Sequence, residues 1–187
     1  MAVMAQEAEE PDEVLVAHAK AGDRDAFATL VERHYAFIHR VAWKWCGRRC
    51  DAEDIAQEVC ARLGRAIRGF HGHGALTTWL YALTLNAARD HARKAGREAR
   101  KVQAFGVHAL AFGEAAPAPD DRADLLWEAV RQLPDKQREA VLLVYGEAVS
   151  HAEAAEVMGC AEATVSWHVH EAKKRLKVLM KQAARDG

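Results

Sequence analysis

No run of apolar residues in this sequence approaches the roughly 18 needed to span a bilayer. Prolines and cysteines are few, four of each, and neither charge sign is in excess. Each shortage excludes something. Without a long apolar run, and with an acidic start lacking the basic and apolar regions of a secretory leader, no membrane insertion is expected and the location is read as cytoplasmic. Cys46, Cys50, Cys60 and Cys160 are too few and too scattered to staple a fold of this size, so reduced thiols are expected. With 26 Lys and Arg against 27 Asp and Glu, any basic footprint for nucleic acid must be local. No glycine loop has a phosphate-binding pattern and no nucleophile has a local signature; no catalytic residue and no cofactor are expected.

Half of the 187 residues are hydrophobic, enough for a packed core and too many for a disordered chain. The charge is segregated. The first 14 residues carry five acids (Glu7, Glu9, Glu10, Asp12, Glu13) and no Lys or Arg, whereas residues 86–101 and 171–187 each carry six basic and two acidic residues. An even total thus hides an acidic start and two basic stretches.

Helical periodicity dominates, and strand-like alternation is missing over any useful length. Val14 to Ala19 precede a Gly22-Asp23 break, after which Phe27, Leu30, Val31, Tyr35, Ile38 and Val41 recur at helical spacing. A second break at Gly47 to Asp51 leads into a helix on which Ile55, Val59, Leu63 and Ile67 step by four as one buried stripe. FHGHGALTT reads as a loop, and the helix beginning at Trp79 is apolar first and basic later. Four segments rich in helix formers follow a Pro-x-Pro stretch: LLWEAVRQL, REAVLLVYGEAV, SHAEAAEVMG and ATVSWHVHEAKKRLKVLMKQ. The expected architecture is all-α: an acidic disordered start (1–12), a helical domain (13–101), a flexible linker (102–122) and a small helical domain (123–187).

Two constellations carry chemistry. Ser150 with Glu153 is a capping-box pattern, Gly159 is a helix stop, and a short turn leads to a helix with Val165 and Val169 inside. That is helix-turn-helix logic, in which the second helix enters the major groove. Thr164, Ser166, Trp167, His168 and His170 are then available to bases, and Lys173 and Lys174 to phosphates. An ordinary helical hairpin would share the pattern. In the first domain Trp79 and Tyr81 lie beside Asn86, Arg89, Arg93 and Lys94, joining aromatic rings to cations as single-stranded nucleic acid requires; for either ring taken alone, core packing is the better reading.

DAEDIAQEV followed by WLYALTLNAARDHARK resembles the second conserved region of the extracytoplasmic-function sigma factors of the sigma-70 family, and LPDKQREAVLLVYGEAVSHAEAAEVMGCAEATVSWHVHEAKKRL resembles their fourth. The resemblance implies a non-enzymatic factor that binds core RNA polymerase, recognises −10 and −35 promoter DNA, promotes strand opening and is restrained by an anti-sigma factor. By the same resemblance Asp51, Asp54, Gln57 and Glu58 face the polymerase. His71, His73, Trp79, Asn86, Arg89, Arg93 and Lys94 take the −10 strand, and the helix from Thr164 to Lys174 reads the −35 element. The chain departs from the family where Ser166, His168 and Glu171 replace usually basic positions, Ala161 a small polar one and Trp167 a common serine.

Two alternatives stand beside this. A helix-turn-helix regulator acting without polymerase would explain the C-terminal half alone. Cys46, Cys50, His71 and His73 are admissible zinc ligands, but their spacing fits no recognised pattern, so no metal is expected.

Overall fold

The computed structural model describes residues 10–72, 74–104 and 123–186. His73, most of the expected linker and nearly all of the acidic start lie outside the described residues, which contain helices and no strand. α1 (Asp12–Ala21) and α2 (Arg24–Cys46) form a hairpin turned at Gly22, whose φ of 100° only glycine adopts without a Cβ penalty. Leu15 and Val16 pack on Ala26, Leu30 and Ile67. Asp12 clamps the pair: one carboxylate oxygen accepts from Arg33 Nη1 at 2.6 Å and the other lies 2.8 Å from His34 Nε2. This acid therefore belongs to the fold, not to the acidic start to which the sequence assigned it.

α2 ends at Gly47, and α3 (Arg49–Ala66) runs back along it. The four-residue stripe is where the periodicity puts it: Ile55, Val59, Leu63 and Ile67 are all buried, the last in a 3₁₀ turn, Ile67–Gly69. α4 (Leu76–Ala104) starts inside the expected loop, because the Ala75 carbonyl accepts from Thr78 and Trp79 and Leu76 packs on the core. It continues beyond residue 101 into the segment read as linker.

The second domain opens with α5 (Ala123–Arg131), and Pro134 caps α6 (Asp135–Val141). The sequence reads a helix in REAVLLVYGEAV with Gly146 as its stop, and the helical stretch ends there; before it α6 widens into a π-helical turn, Leu142–Gly146, where the Glu147 amide reaches back to the Leu142 carbonyl at 3.0 Å. Such turns occur mostly where function or a tertiary contact requires them. Here the Gly146 carbonyl and Glu147 carboxylate both meet Lys44 of α2, at 2.9 and 2.7 Å. α7 (His151–Met158) and α8 (Glu162–Asp186) follow, joined through Gly159 at φ 61°.

The two domains share a face. Val130, Leu133 and Ala140 to Leu143 join one apolar cluster with Ile38, Trp45, Leu80 and Leu85 of the first domain, and the Arg138 guanidinium lies 3.7 Å from the centroid of the Trp45 ring. Among the described residues no helix is long and apolar enough to cross a membrane.

Beyond the π-helical turn, Ala148 sits at φ 54°, the one described non-glycine residue with positive φ. Left-handed backbone costs an L-residue about 1–2 kcal/mol, more than the roughly 0.5–1 kcal/mol of extra chain entropy that glycine brings. Ala148→Gly should therefore raise stability by about 0.5–1 kcal/mol. A lower midpoint in denaturant than that of the parent chain would contradict this account of the turn.

Candidate nucleic-acid interface

α4 carries the first set of candidates. Asn86, Asp90, Arg93 and Arg97 recur at steps of four and three, so they share one exposed face, with Lys94 beside it. The Asp90 carboxylate accepts from Arg93 at 2.6 Å and lies 3.8 Å from Arg62 of α3. Asn86 Oδ1 is 3.4 Å from Arg89 Nη1. Arg89 itself turns away from this face, pairing with Glu139 of α6 and approaching the Trp45 ring at 5.8 Å.

Upstream, Trp79 is half-buried against Phe70, with ring centroids 5.4 Å apart, and Lys20 bonds the Phe70 carbonyl. Trp79 is thus core packing at the base of the loop as well as a candidate for stacking. His71 is exposed on that loop. Tyr81 is buried; desolvation, with Glu147 and Glu139 nearby, pushes its phenol well above the usual tyrosine range, so it serves the domain junction and not an open base-stacking surface.

The acidic candidates on α3 share one arc of the helix but differ in their surroundings. Asp54 and Gln57 are exposed along the spine of the helix, but Glu58 pairs with Arg62 and faces α4, while Asp51 lies 3.5 Å from Arg48 and faces the domain junction. On the other flank Gln57 and Glu53 border an open groove lined by Tyr35, His39 and Trp43 of α2.

In the helix-turn-helix, Val165, Val169 and Ala172 are buried against α7 and α6. Opposite them Trp167, His170 and Lys174 form the exposed centre of α8, and Trp167 is 56 % exposed. His168, expected in that centre, sits instead at its margin: its Nδ1 is buried and its ring meets Trp167 edge-on at 5.0 Å. His168 lies three residues after the buried Val165 and four before the buried Ala172, which explains the shift. Thr164 is half-buried on the same flank. Ser166 is exposed, and its hydroxyl is held at 2.8 Å by His151 Nδ1 from the start of α7, a partner the sequence reading did not find. Lys173 lies over the exposed Tyr145 ring, and Lys174 bonds Glu171 at 2.9 Å.

Among the described residues no three His, Cys, Asp or Glu side chains gather as a metal-holding group. Burial pushes the Cys46 and Cys60 thiols above the usual range, away from the thiolate that metal or nucleophilic chemistry needs.

A helical domain bearing an amide-and-guanidinium face, followed by a helix-turn-helix with an open reading helix, defines a transcription factor that contacts DNA at two separate places. Residues 30–98 match the family described as Sigma-70 region 2, and residues 123–176 the family described as Sigma-70, region 4. The chain is 30% identical to the RNA polymerase sigma-H factor of Pseudomonas aeruginosa, covering 94% of this chain and 98% of that one. It is 32% identical to the ECF RNA polymerase sigma factor SigM of Mycobacterium tuberculosis, over 90% and 83% of the two chains. Among solved structures, the sigma factor RpoE of Bartonella quintana, in complex with the anti-sigma factor NepR, superposes with a TM-score of 0.66 at 25% identity over 83% of this chain and 96% of that one. The chain belongs to the extracytoplasmic-function sigma factors of the sigma-70 family. The first-domain match removes the alternative of a stand-alone helix-turn-helix regulator.

The capping box at the helix-turn-helix entry is complete: Ser150 Oγ accepts from the Glu153 amide, and Glu153 accepts from the Ser150 amide at 2.8 Å and hydroxyl at 2.7 Å. These hydrogen bonds favour the carboxylate and hold Glu153 below the usual range. A depressed folded pKa means that this contribution is present above the ordinary carboxylate range and lost as pH falls through the folded value. Ser150→Ala should move the Glu153 titration, followed by carboxyl NMR, back up toward ordinary glutamate. An unmoved titration would mean that the serine hydroxyl does not tune it.

Proposed function

We propose that this sigma factor, which binds core RNA polymerase and directs initiation at promoters with −10 and −35 elements, divides the task among three surfaces. Asp54 and Gln57 on the spine of α3 contact the polymerase. The bordering groove of Tyr35, His39 and Trp43 supplies apolar area to the same contact, while Asp51 and Glu58, already paired within the chain, add less. Asn86, Arg93 and Lys94 take the unpaired −10 strand, with Arg89 joining them once freed from Glu139, and the loop at His71 and His73 receives a base drawn out of the stack. Capture of an unpaired base rewards the melted state and drives opening without bond chemistry, so the factor acts as no enzyme and works with the polymerase in the cytoplasm. An anti-sigma factor of the kind seen bound to the Bartonella relative restrains it.

The observation that carries this reading is the exposed Asn86–Arg93 face. It pairs one side chain that can both donate to and accept from a base edge with cations that neutralise backbone. Reconstitution with core polymerase tests it. Asn86→Ala should lose at least tenfold in binding of the holoenzyme to a single-stranded −10 oligonucleotide, with little change on a duplex carrying only the −35 element. Equal losses on both would make Asn86 a structural residue.

At the −35 element Trp167 and His170 reach base edges, and Trp167 offers the apolar contact that a thymine methyl group accepts. His168 and Thr164, at the margin, contribute less, and Ser166 acts in the orientation His151 gives it. Lys173 and Lys174 hold phosphates. Trp167→Ala should relax preference at one or two −35 base pairs by about 1–3 kcal/mol, His168→Ala by less. Lys174→Ala should weaken all duplexes alike and lower the salt slope by about one. A salt series on matched and altered −35 duplexes separates them: uniform loss with Trp167→Ala would exclude it as a reader.

A further inference from the structure

A serine hydroxyl is an ambivalent reader of DNA, because it holds one proton and two lone pairs and rotates to suit whatever it meets. Ser166 is exposed on the second turn of α8, next to Trp167 and four residues before His170. Its hydroxyl is not left to rotate. Oγ lies 2.8 Å from Nδ1 of His151, the first residue of α7, so the bond bridges the two helices of the helix-turn-helix. Both ends of the bridge are held. The complete capping box locks the start of α7, and it uses the Ser150 hydroxyl, which donates to Glu153 and accepts from its amide. Ala154, Met158 and Val165 are buried in the core that α7 and α8 share, and Gly159, at φ 61°, turns the chain between them. The distance from His151 to Ser166 is therefore set by packing and not by either side chain.

We propose that His151 is a positioning residue for promoter choice: by accepting the Ser166 hydroxyl proton it makes the serine a fixed acceptor, matched to a base that carries an amino group, adenine or cytosine. This rests on α8 being the −35 helix. In a neutral imidazole one ring nitrogen donates and the other accepts, and in water the proton resides mainly on Nε2, which leaves Nδ1 to accept from Ser166. The remaining lone pairs of Oγ then point outward. In the major groove adenine and cytosine present an amine, whereas guanine and thymine present only acceptors and a methyl group. Against those two bases lone pair would meet lone pair. The other polar groups of this face lack what Ser166 supplies: Trp167, Lys173 and Lys174 can only donate, and the Glu171 carboxylate is taken by Lys174 at 2.9 Å. The His151–Ser166 bond is open to solvent in the free chain, so water competes with it and it adds little to stability. Once DNA displaces that water, the direction of the hydroxyl decides which base is accepted.

The test uses holoenzyme reconstituted from the full chain and core polymerase. It is offered, at pH 8, a pool of duplexes randomised across the −35 block and identical elsewhere, with the −10 block pre-opened, and the bound fraction is sequenced. At one position of one strand the parent should favour adenine or cytosine over guanine and thymine, and Ser166→Ala should flatten that preference roughly three- to tenfold. His151→Ala should flatten the same position by the same factor, and so should His151→Phe, which keeps a ring without its acceptor. His151→Asn, whose side-chain oxygen stands near the place of Nδ1, should recover most of the preference. Joining His151→Ala to Ser166→Ala should cost no more than Ser166→Ala alone, because the two act as one unit. Loss spread evenly over all sequences in His151→Ala, additive effects in the double variant, or a shared position that favours guanine or thymine would overturn the proposal. Trp167→Ala in the same selection keeps two failures apart. If it changes base preference while His151→Ala does not, α8 reads the −35 element and the role of His151 falls; if neither does, α8 is not the reader and the proposal falls with it.

Discussion

Trp45 stands where the two halves of the molecule meet, and much of the rest is arranged around it. Its indole belongs to the apolar cluster of α2, α3 and α4, while the guanidinium groups of Arg138 and Arg89 both lie within reach of its ring. A guanidinium is weakly hydrated and stacks on an aromatic face at modest cost, so charged residues of α4 and α6 can approach a ring that would otherwise demand an apolar neighbour. Burial lowers the pKa of Arg138, with Asp135 opposing the shift. The neighbouring Glu139 is held by two cations, as a buried carboxylate must be.

Two exposed faces lie outside that junction. The exposed face of α4 runs away from the seam through Asn86, Arg93 and Arg97, and the exposed face of α8 lies opposite Val165 and Val169. Segregation of charge along the chain makes this possible. A nearly neutral protein can still offer local cations because several of its acids are spent on partners within the fold: Asp12 on Arg33 and His34, Glu139 on Arg89, Glu147 on Lys44. Several cations that look free in the sequence are therefore already balanced, which makes their availability to DNA a matter of conformation as much as composition.

α8 shows how a single step along a helix changes a residue's surroundings. His168 and Trp167 are adjacent, yet a step of about 100° around the helix leaves one half-covered and the other open to solvent. Within the helix-turn-helix the capping box, Gly159 and the buried valines fix that rotation, so a substitution in the core of this domain would turn the whole reading face.

Elements set by local chemistry were legible from sequence: the hairpin at Gly22, the four-residue stripe of α3, the stop at Pro134, the capping box and the helix after Gly159 all follow from spacing and backbone preference. The exposed faces of α4 and α8 were legible for the same reason, since periodicity assigns a face even when it cannot say what covers it. What periodicity could not supply was pairing between distant residues. Nothing in LPDKQREAV announces that Glu139 meets Arg89 fifty residues earlier, that REAVLLVYG opens a π-helical turn to reach Lys44, or that Ser150's neighbour His151 holds Ser166. The sequence alone determined the helices, their buried stripes and the family to which they belong, because those depend on contacts a few residues apart. Only the tertiary structure decided which charges remain exposed, because that depends on which helices the shared apolar cluster brings face to face.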